Sequence, residues 1–365
     1  MYLPQEDNLI AGASREGLLP PGLNTAYPPS SLRADQSPEC YGLDLSVDGK
    51  IGKGTIPSGT SRIAKTVTIA CTDIGGGSAV PFLLYYGRLW NITGLTNAGT
   101  STTLKIGAPD TEAAWLTQST DFSFTEDATA VPILALVPLG TSGDMAVIKT
   151  SGSYIIENVY DPRGTQFFRR SDIIQELSAA SVTNVTELDG TLYASNANGL
   201  IAYKDGKTTD LTALVRDSKT GFTTLNLKSD YINKRIIAST VAGIGFVYDV
   251  PTEKLFKYTG ASTFRYTTRQ WHHPQWFKTA IDGVKFIIVH GDTTDGTLTY
   301  QTRIDENAWS DTKTAYLTYS DGIYTVVDEG LTENGAGHRF QVRVTDISSN
   351  KYIQEIRVIG ESWNE

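Results

Sequence analysis

Residues 184–211 read NVTELDGTLYASNANGLIAYKDGKTTDL, and the fold turns on them. The stretch holds three Asx-Gly pairs, Asp189-Gly190, Asn198-Gly199 and Asp205-Gly206. Both central residues of a type I′ turn need positive φ, and Asn or Asp followed by Gly meets that need at little steric cost. Three hairpins in succession, with short strands between them, predict a four-stranded antiparallel meander. That is the unit from which a β-propeller blade is made.

The core of this stretch, LDGTLYAS at 188–195, recurs in weakened form. INKRIIAS at 232–239 is the best second copy, followed by IDGVKFII at 281–288 with a further turn at Asp295-Gly296. Upstream lie SGSYII at 151–156 and YGRLW at 86–90, and the outermost copies are DGKI at 48–51 and DGIY at 321–324. Anchored on Gly49, Gly87, Gly152, Gly190, Lys234, Gly283 and Gly322, most intervals fall near the roughly 40–50 residues of a propeller blade. The long interval between Gly87 and Gly152 contains TEAAWLTQSTDFSFTED at 111–127, which reads as a blade insertion. The prediction is an all-β chain forming a propeller of five to seven blades, six favoured. A β-sandwich with fortuitous spacing is the alternative.

Strand composition agrees. In GLIAY at 199–203, both faces are largely apolar, and FIIV at 286–289 is similar. A strand apolar on both faces is buried on both sides, as inner strands of stacked blades are. Helix is scarce. SDIIQELSAA at 171–180 is the one candidate, with Ser171 as N-cap and Asp172 in the first turn.

The ends differ from the middle. Residues 1–45 carry Pro4, Pro20, Pro21, Pro28, Pro29 and Pro38 and show no period, so an extended Pro-rich arm is expected there. The propeller is expected over 46–327, with 315–327 an alternating hairpin about Asp321-Gly322. Residues 328–365 are expected to form a C-terminal β-hairpin. Its strands are HRFQVRV at 338–344 and YIQEIRV at 352–358, with an irregularity near Glu355. In the first, Phe340, Val342 and Val344 face one way and Arg339, Gln341 and Arg343 the other.

The bulk numbers set limits. Hydrophobic residues make up 40% and charged residues 19%, enough apolar material for a sizeable core. Net charge is −9, which disfavours tight duplex-DNA binding through counterion release. It suits a channel that lets DNA slide. Two cysteines, Cys40 and Cys71, are no disulfide framework, and whether they pair stays open. MYLPQEDNLI at the start lacks a basic and an apolar region, so no secretion signal is expected. No apolar run reaches the roughly 18 residues of a membrane span.

No motif specifies catalysis, a metal or a cofactor. The densest cluster of reactive side chains is QWHHPQW at 270–276. His272 and His273 point opposite ways on an extended chain, and a metal site needs more convergent ligands. Trp271 and Trp276 fit either a packed interface or a glycan platform. Acid pairs such as Glu126 with Asp127, or Asp305 with Glu306, read as solvated loop residues. RIDENAW at 303–309 lacks the Gly and preceding Ser of an Asp-box.

The layout resembles the propeller proteins of phage tails, the hub or nozzle proteins below the portal of short-tailed double-stranded-DNA phages. Three features carry the likeness. The arm runs through Gly22-Leu23-Asn24 and Pro28-Pro29 to DGKIG at 48–52. Degenerate Gly-x-Leu-aromatic cores follow at 87–90 and 190–193, and a strand pair of the HRFQVRV…YIQEIRVIG kind closes the chain. The resemblance implies a non-enzymatic virion protein, assembled in the host cytoplasm, forming a ring around the DNA exit channel. Its implied partners are copies of itself in a hexamer, the tail adaptor or portal-proximal proteins, tail fibres and duplex DNA in passage. Arm contacts are then expected from Pro20, Pro21, Pro28 and Pro29, and interface or glycan contacts from Trp271, Trp276, His272 and His273. A receptor- or glycan-binding tail propeller is the alternative, and a propeller glycan hydrolase a further one.

Overall fold

In a computed structural model of the chain, the described residues are 16–17, 22–23, 26, 31–33, 36–41, 43–45, 50–54, 66–70, 79–86, 88–92, 103–106, 120–124, 131, 133–139, 143–161, 165–215, 225–240, 245–258, 264–268, 270–272, 279–305, 307–319, 324–330, 336–337 and 339–362. Among them the fold is all-β, with two four-stranded sheets beside larger ones and only short 3-10 turns. The chain divides into two compact units. The first holds Met1–Pro57, Leu214–Asp217 and Ala242–Glu365, and the second Ser58–Ala213 and Ser218–Val241.

The first unit opens with β1 (Glu16–Gly17), β2 (Gly22–Leu23), β3 (Gln36–Ser37), β4 (Glu39–Tyr41), β5 (Leu43–Asp44) and β6 (Ile51–Lys53). Strands this short are what a proline-interrupted segment permits, because proline supplies no ladder donor. They are nonetheless packed. Leu23, Leu32 and Cys40 are buried, β2 pairs with β3, and Ala26 N donates to Leu214 O at 3.2 Å. Pro20, Pro21, Pro28 and Pro29 lie outside the described residues.

In the second unit, β7 (Thr66–Ala70), β8 (Ala79–Tyr85), β9 (Arg88–Ile92), β10 (Thr103–Ile106) and β11 (Thr120–Ser123) make a five-stranded antiparallel sheet. The expected insertion at 111–127 thus supplies β11, an edge strand paired with β10. The next sheet is β12 (Ile133–Leu139), β13 (Asp144–Lys149), β14 (Ser153–Glu157) and β15 (Arg169–Arg170). After it come β16 (Val185–Leu188), β17 (Thr191–Asn196), β18 (Gly199–Lys204) and β19 (Lys207–Asp210), the four-stranded meander predicted from residues 184–211. A hairpin of β20 (Asn226–Asp230) and β21 (Arg235–Ser239) closes the unit.

Two of the three predicted turns have the expected geometry. Asp189 and Gly190 sit at φ 50° and 80°, and Asp205 and Gly206 at 49° and 78°. The third differs. Asn196 pairs with Gly199, so Ala197 and Asn198 are the central residues and Gly199 begins β18 at φ 126°. The Asn196 side chain decides this, accepting from Asn198 N at 2.8 Å in an Asx turn.

The middle sheet is buried on both faces. Met145, Val147, Tyr154 and Ile156 join Trp90, Leu104, Ile106 and Phe124 of the preceding sheet in one core. Ala146, Ile148 and Ile155 join Val185, Leu192, Ala194 and Ile201 of the following sheet in another. The period-2 alternation of a strand sends successive residues into different cores. Such two-sided burial contributes about 1.5–3 kcal/mol for each large side chain.

The helix expected at 171–180 is absent. Only Gln175–Leu177 forms a 3-10 turn, without a side-chain cap at Ile174. Ile174 instead exchanges backbone bonds with Ser153, donating at 2.8 Å and accepting at 3.0 Å. Ser171 Oγ accepts from Ile155 N at 2.9 Å. An available sheet edge outcompetes one weak helical turn.

The first unit resumes with β22 (Gly245–Asp249), β23 (Lys254–Tyr258), β24 (Arg265–Thr267), β25 (Trp271–His272), β26 (Thr279–His290), β27 (Gly296–Ile304), β28 (Lys313–Leu317), β29 (Tyr324–Gly330), β30 (Ala336–Gly337), β31 (Arg339–Ile347) and β32 (Lys351–Ser362). One sheet runs β29-β26-β32-β6-β5. Within the unit the other runs β22-β23-β4-β24-β31-β27-β28, with β25 on β31.

Three expectations are corrected here. Asp282-Gly283 marks no turn; it lies inside β26, where the register against β32 shifts. β28 and β29 do not form a hairpin about Asp321-Gly322, because β28 pairs with β27 and β29 with β26, in different sheets. β31 and β32 are likewise no exposed terminal hairpin: β31 pairs with β24 and β27, and β32 with β26 and β6. Each is long and apolar enough to serve inside a sheet, and central pairing satisfies both backbone edges. The irregularity near Glu355 is present. Glu355 and Ile353 face Ile287 and Ile288, leaving Gln354 as the extra residue of a bulge.

Candidate functional site

The predicted site residues are only partly within the described structure. Trp271 and His272 form β25, opposite Phe340 and Arg339 of β31. His273 and Trp276 lie outside the described residues, as do Glu126, Asp127 and Glu306. Asp305 is structural, its carboxylate accepting from Arg339 N at 2.9 Å. His290 is buried, with its ring edge-on to Tyr319 at 5.5 Å. Trp309 of RIDENAW lies against two guanidinium groups, Arg343 at 3.9 Å and Arg303 at 4.7 Å. Arg343 in turn pairs with Glu39 at 2.8 Å. Among the described residues no group of three His, Cys, Asp or Glu side chains is placed to hold a metal. Among them, too, no helix is long and apolar enough to cross a membrane.

A different cluster emerges in the second unit, where hairpin tips from successive sheets meet. Tyr85 and Arg88 close the β8–β9 hairpin around Tyr86. Gly143 precedes β13, Asn158–Asp161 follow β14, and the Asp189-Gly190 and Asp205-Gly206 turns join β16 to β17 and β18 to β19. Each tip is local in origin, set by left-handed residues such as Tyr86 (φ 48°), Asn158 (φ 61°) and Lys234 (φ 53°).

Tyrosines and carboxylates connect these tips. The rings of Tyr85 and Tyr86 meet edge to face at 4.6 Å, and those of Tyr86 and Tyr160 lie 6.4 Å apart. Arg88, nearly buried, donates to Asp161 O at 3.3 Å and lies over the Phe168 ring. Burial holds its guanidinium pKa below the usual value, and the Asp161 charge opposes that fall. Further along, Glu187 is buried and fully engaged. Its Oε1 accepts from Gly190 N and its Oε2 from Tyr231 Oη, both at 2.7 Å. Lys234 bridges to Asp189 at 2.8 Å.

The electrostatics follow from this crowding. Burial first, then the neighbouring Tyr86, Asp144 and Glu187, push the Tyr85 phenol up from its ordinary value. Burial, Glu157 and Asp144 do the same for Tyr203. These phenols stay protonated at neutral pH. The cluster therefore offers aromatic faces, hydroxyl donors and carboxylate acceptors, the groups of a noncovalent binding surface.

Sequence reasoning passed over Tyr86, Tyr160, Tyr203 and Tyr231. A signal was present, because each stands within three residues of a turn-forming Gly, Asp or Asn. The turns alone drew the reading, and tyrosine is common in strands for packing reasons.

No known protein family matches the chain, and no curated protein matches it. Solved structures with partial likeness include an exo-β-1,3-galactanase from Phanerochaete chrysosporium, at 7% identity and TM-score 0.28, over 82% of this chain and 100% of that one. A glycoside hydrolase family 43 arabinoxylan arabinofuranohydrolase from Bacillus subtilis aligns at 8% identity and TM-score 0.23, over 84% and 69%. The tryptic core of a Bacillus thuringiensis Cry1Da variant aligns at 9% and 0.22, over 63% and 50%. At such scores these likenesses do not bear on what this chain does.

Proposed function

We propose that the chain is a β-propeller, of five to seven blades with six favoured, and serves as a non-enzymatic structural protein of a phage tail. It forms a ring around the DNA exit channel and anchors neighbouring tail components. One observation carries the propeller reading. The β12–β15 sheet buries one face against the sheet before it and the other against the sheet after it, while β6 and β32, far apart along the chain, pair in one sheet. Serial stacking with shared first and last strands is how a propeller closes without a long exposed edge. The tail role rests on the sequence resemblance, with a net charge of −9 suiting a channel that does not hold phosphates. Electron microscopy of purified protein and of virions tests it. Rings of subunits at the tail channel are expected. A monomer in solution together with absence from purified virions would sink the proposal.

A further inference from the structure

Arg303 and Arg343 of the first unit carry more positive charge than their surroundings answer. They share one face of a sheet: Arg303 stands opposite Gln341 of β31, and Arg343 is two residues further along that strand. Arg343 pairs with Glu39 at 2.8 Å and donates from Nε to Thr267 Oγ1 at 3.4 Å. The Arg303 guanidinium donates to an amide instead, Gln341 Oε1. Its Nε is buried and makes no hydrogen bond among the described residues, and no carboxylate among them pairs with it. A partly buried guanidinium without a counter-charge is costly to keep. One carboxylate thus serves two guanidiniums, while Arg265 of β24 and Arg303 both oppose the charge on Arg343.

Trp309 fixes the pair. Both guanidinium carbons lie over its ring, Arg343 at 3.9 Å and Arg303 at 4.7 Å. A stacked guanidinium uses its face and keeps its in-plane N–H donors for other partners. Gln341 is itself buried and anchored, its Nε2 donating to Thr268 O at 3.0 Å. Both side chains are therefore restrained before any ligand arrives, which lowers the entropy cost of binding one.

The donors define the ligand. A phosphate group carries three strong acceptor oxygens directed apart and a charge of about −1.5 to −2, so it can face two guanidiniums at once. A carboxylate has two coplanar oxygens that suit one fork, the place Glu39 already takes on Arg343. Duplex DNA is disfavoured, because the chain around the pair is acidic, at −9 overall. We infer that Arg303 and Arg343, held on Trp309, bind a phosphate group, as the free ion or as a monoester. This goes beyond the ring-forming role and stands without it.

The test is isothermal titration calorimetry of the full chain in phosphate-free buffer, with ionic strength held constant by sodium chloride. The probes are inorganic phosphate, glycerol phosphate, acetate and a short DNA duplex, the small ions at up to about 10 mM, where even weak sites fill. Inorganic phosphate is expected to bind at least tenfold more tightly than acetate, and binding of glycerol phosphate as well extends the site to monoesters. Arg303→Met removes the unanswered charge, so its melting temperature without phosphate is expected to equal or exceed that of the parent, while phosphate binding weakens tenfold or more. Glu39→Gln removes the competing carboxylate and is expected to tighten phosphate binding severalfold, an effect that a purely structural stack of Arg303, Arg343 and Trp309 would not produce. The proposal is overturned if phosphate gives no heat, if acetate or the duplex binds as well as phosphate does, if Arg303→Met binds as the parent does, or if Glu39→Gln leaves the affinity unchanged.

Discussion

Gly199 shows how much one position can carry. Its φ is 126°, and a Cβ would fall 1.9 Å from Thr212 Oγ1. That hydroxyl is not free to move, because it donates to Asp210 Oδ1 at 2.7 Å and accepts from Leu200 N at 3.2 Å. Gly199→Ala is therefore expected to destabilise the fold by about 3 kcal/mol, combining backbone strain with overpacking. Gly206 has a φ of 78°, nearer the left-handed helical region, and open space around it, so Gly206→Ala is expected to cost only about 1 kcal/mol of backbone strain. Urea denaturation of the two variants compares them directly, and equal losses would refute the combined strain and packing argument.

The β26–β27 and β31–β32 pairs form a bent ribbon. β26 pairs with β32 in one sheet and β27 with β31 in the other. Residues 291–295 and 348–350 make the elbow between them, with Gly291 N donating to Asn350 O at 2.7 Å. Lys351, fully buried, reaches Asp292 there, and Asn350 and Thr294 donate to the same carboxylate at 3.1 and 2.8 Å. These bonds, Lys351 foremost, hold the Asp292 carboxyl well below the usual carboxylate range. A depressed folded pKa stabilises at neutral pH, and that stability is lost as pH falls through and below the ordinary carboxylate range. Asp292→Asn is expected to lower stability at neutral pH while flattening the acid limb of the stability curve. Thermal melts from pH 7 down to about 1.5 read both effects, and an unchanged acid limb below the ordinary carboxylate range would count against the elbow as the source.

For the whole chain, buried phenols set an alkaline limit. Burial pushes Tyr258 up to about 12, and burial with Glu253 and Asp249 does the same for Tyr248. Tyr85 in the second unit moves the same way. A raised folded pKa means stability that is complete below the ordinary tyrosine value of 10.0 and is lost as pH rises toward 12. Cooperative loss of circular dichroism in that window is expected, together with a late tyrosinate absorbance step. Smooth titration of all 18 tyrosines near their ordinary value, with the fold intact, would contradict it.

Local chemistry was legible from the residues. Asp189-Gly190 and Asp205-Gly206 form their turns because positive φ is a preference of those residues and their neighbours alone. The two-sided burial of residues 199–203 was legible for the same reason, since alternation along a strand is short-range. Pairing partners were not. DG at 282–283 looks like DG at 189–190, yet one lies inside a 12-residue strand and the other makes a turn. Which outcome holds depends on β32, far along the chain, offering its edge to β26. The segment at 171–180 likewise lost its helix to the edge of β14. The contact between the Tyr86 and Tyr160 rings belongs to this second kind. Tyr86 and Tyr160 are distant in sequence, and only the stacking of one sheet on the next brings their rings over Gly143. Turn geometry is paid for by bonds between near neighbours, whereas sheet order and site assembly depend on which distant edges and faces remain to be covered.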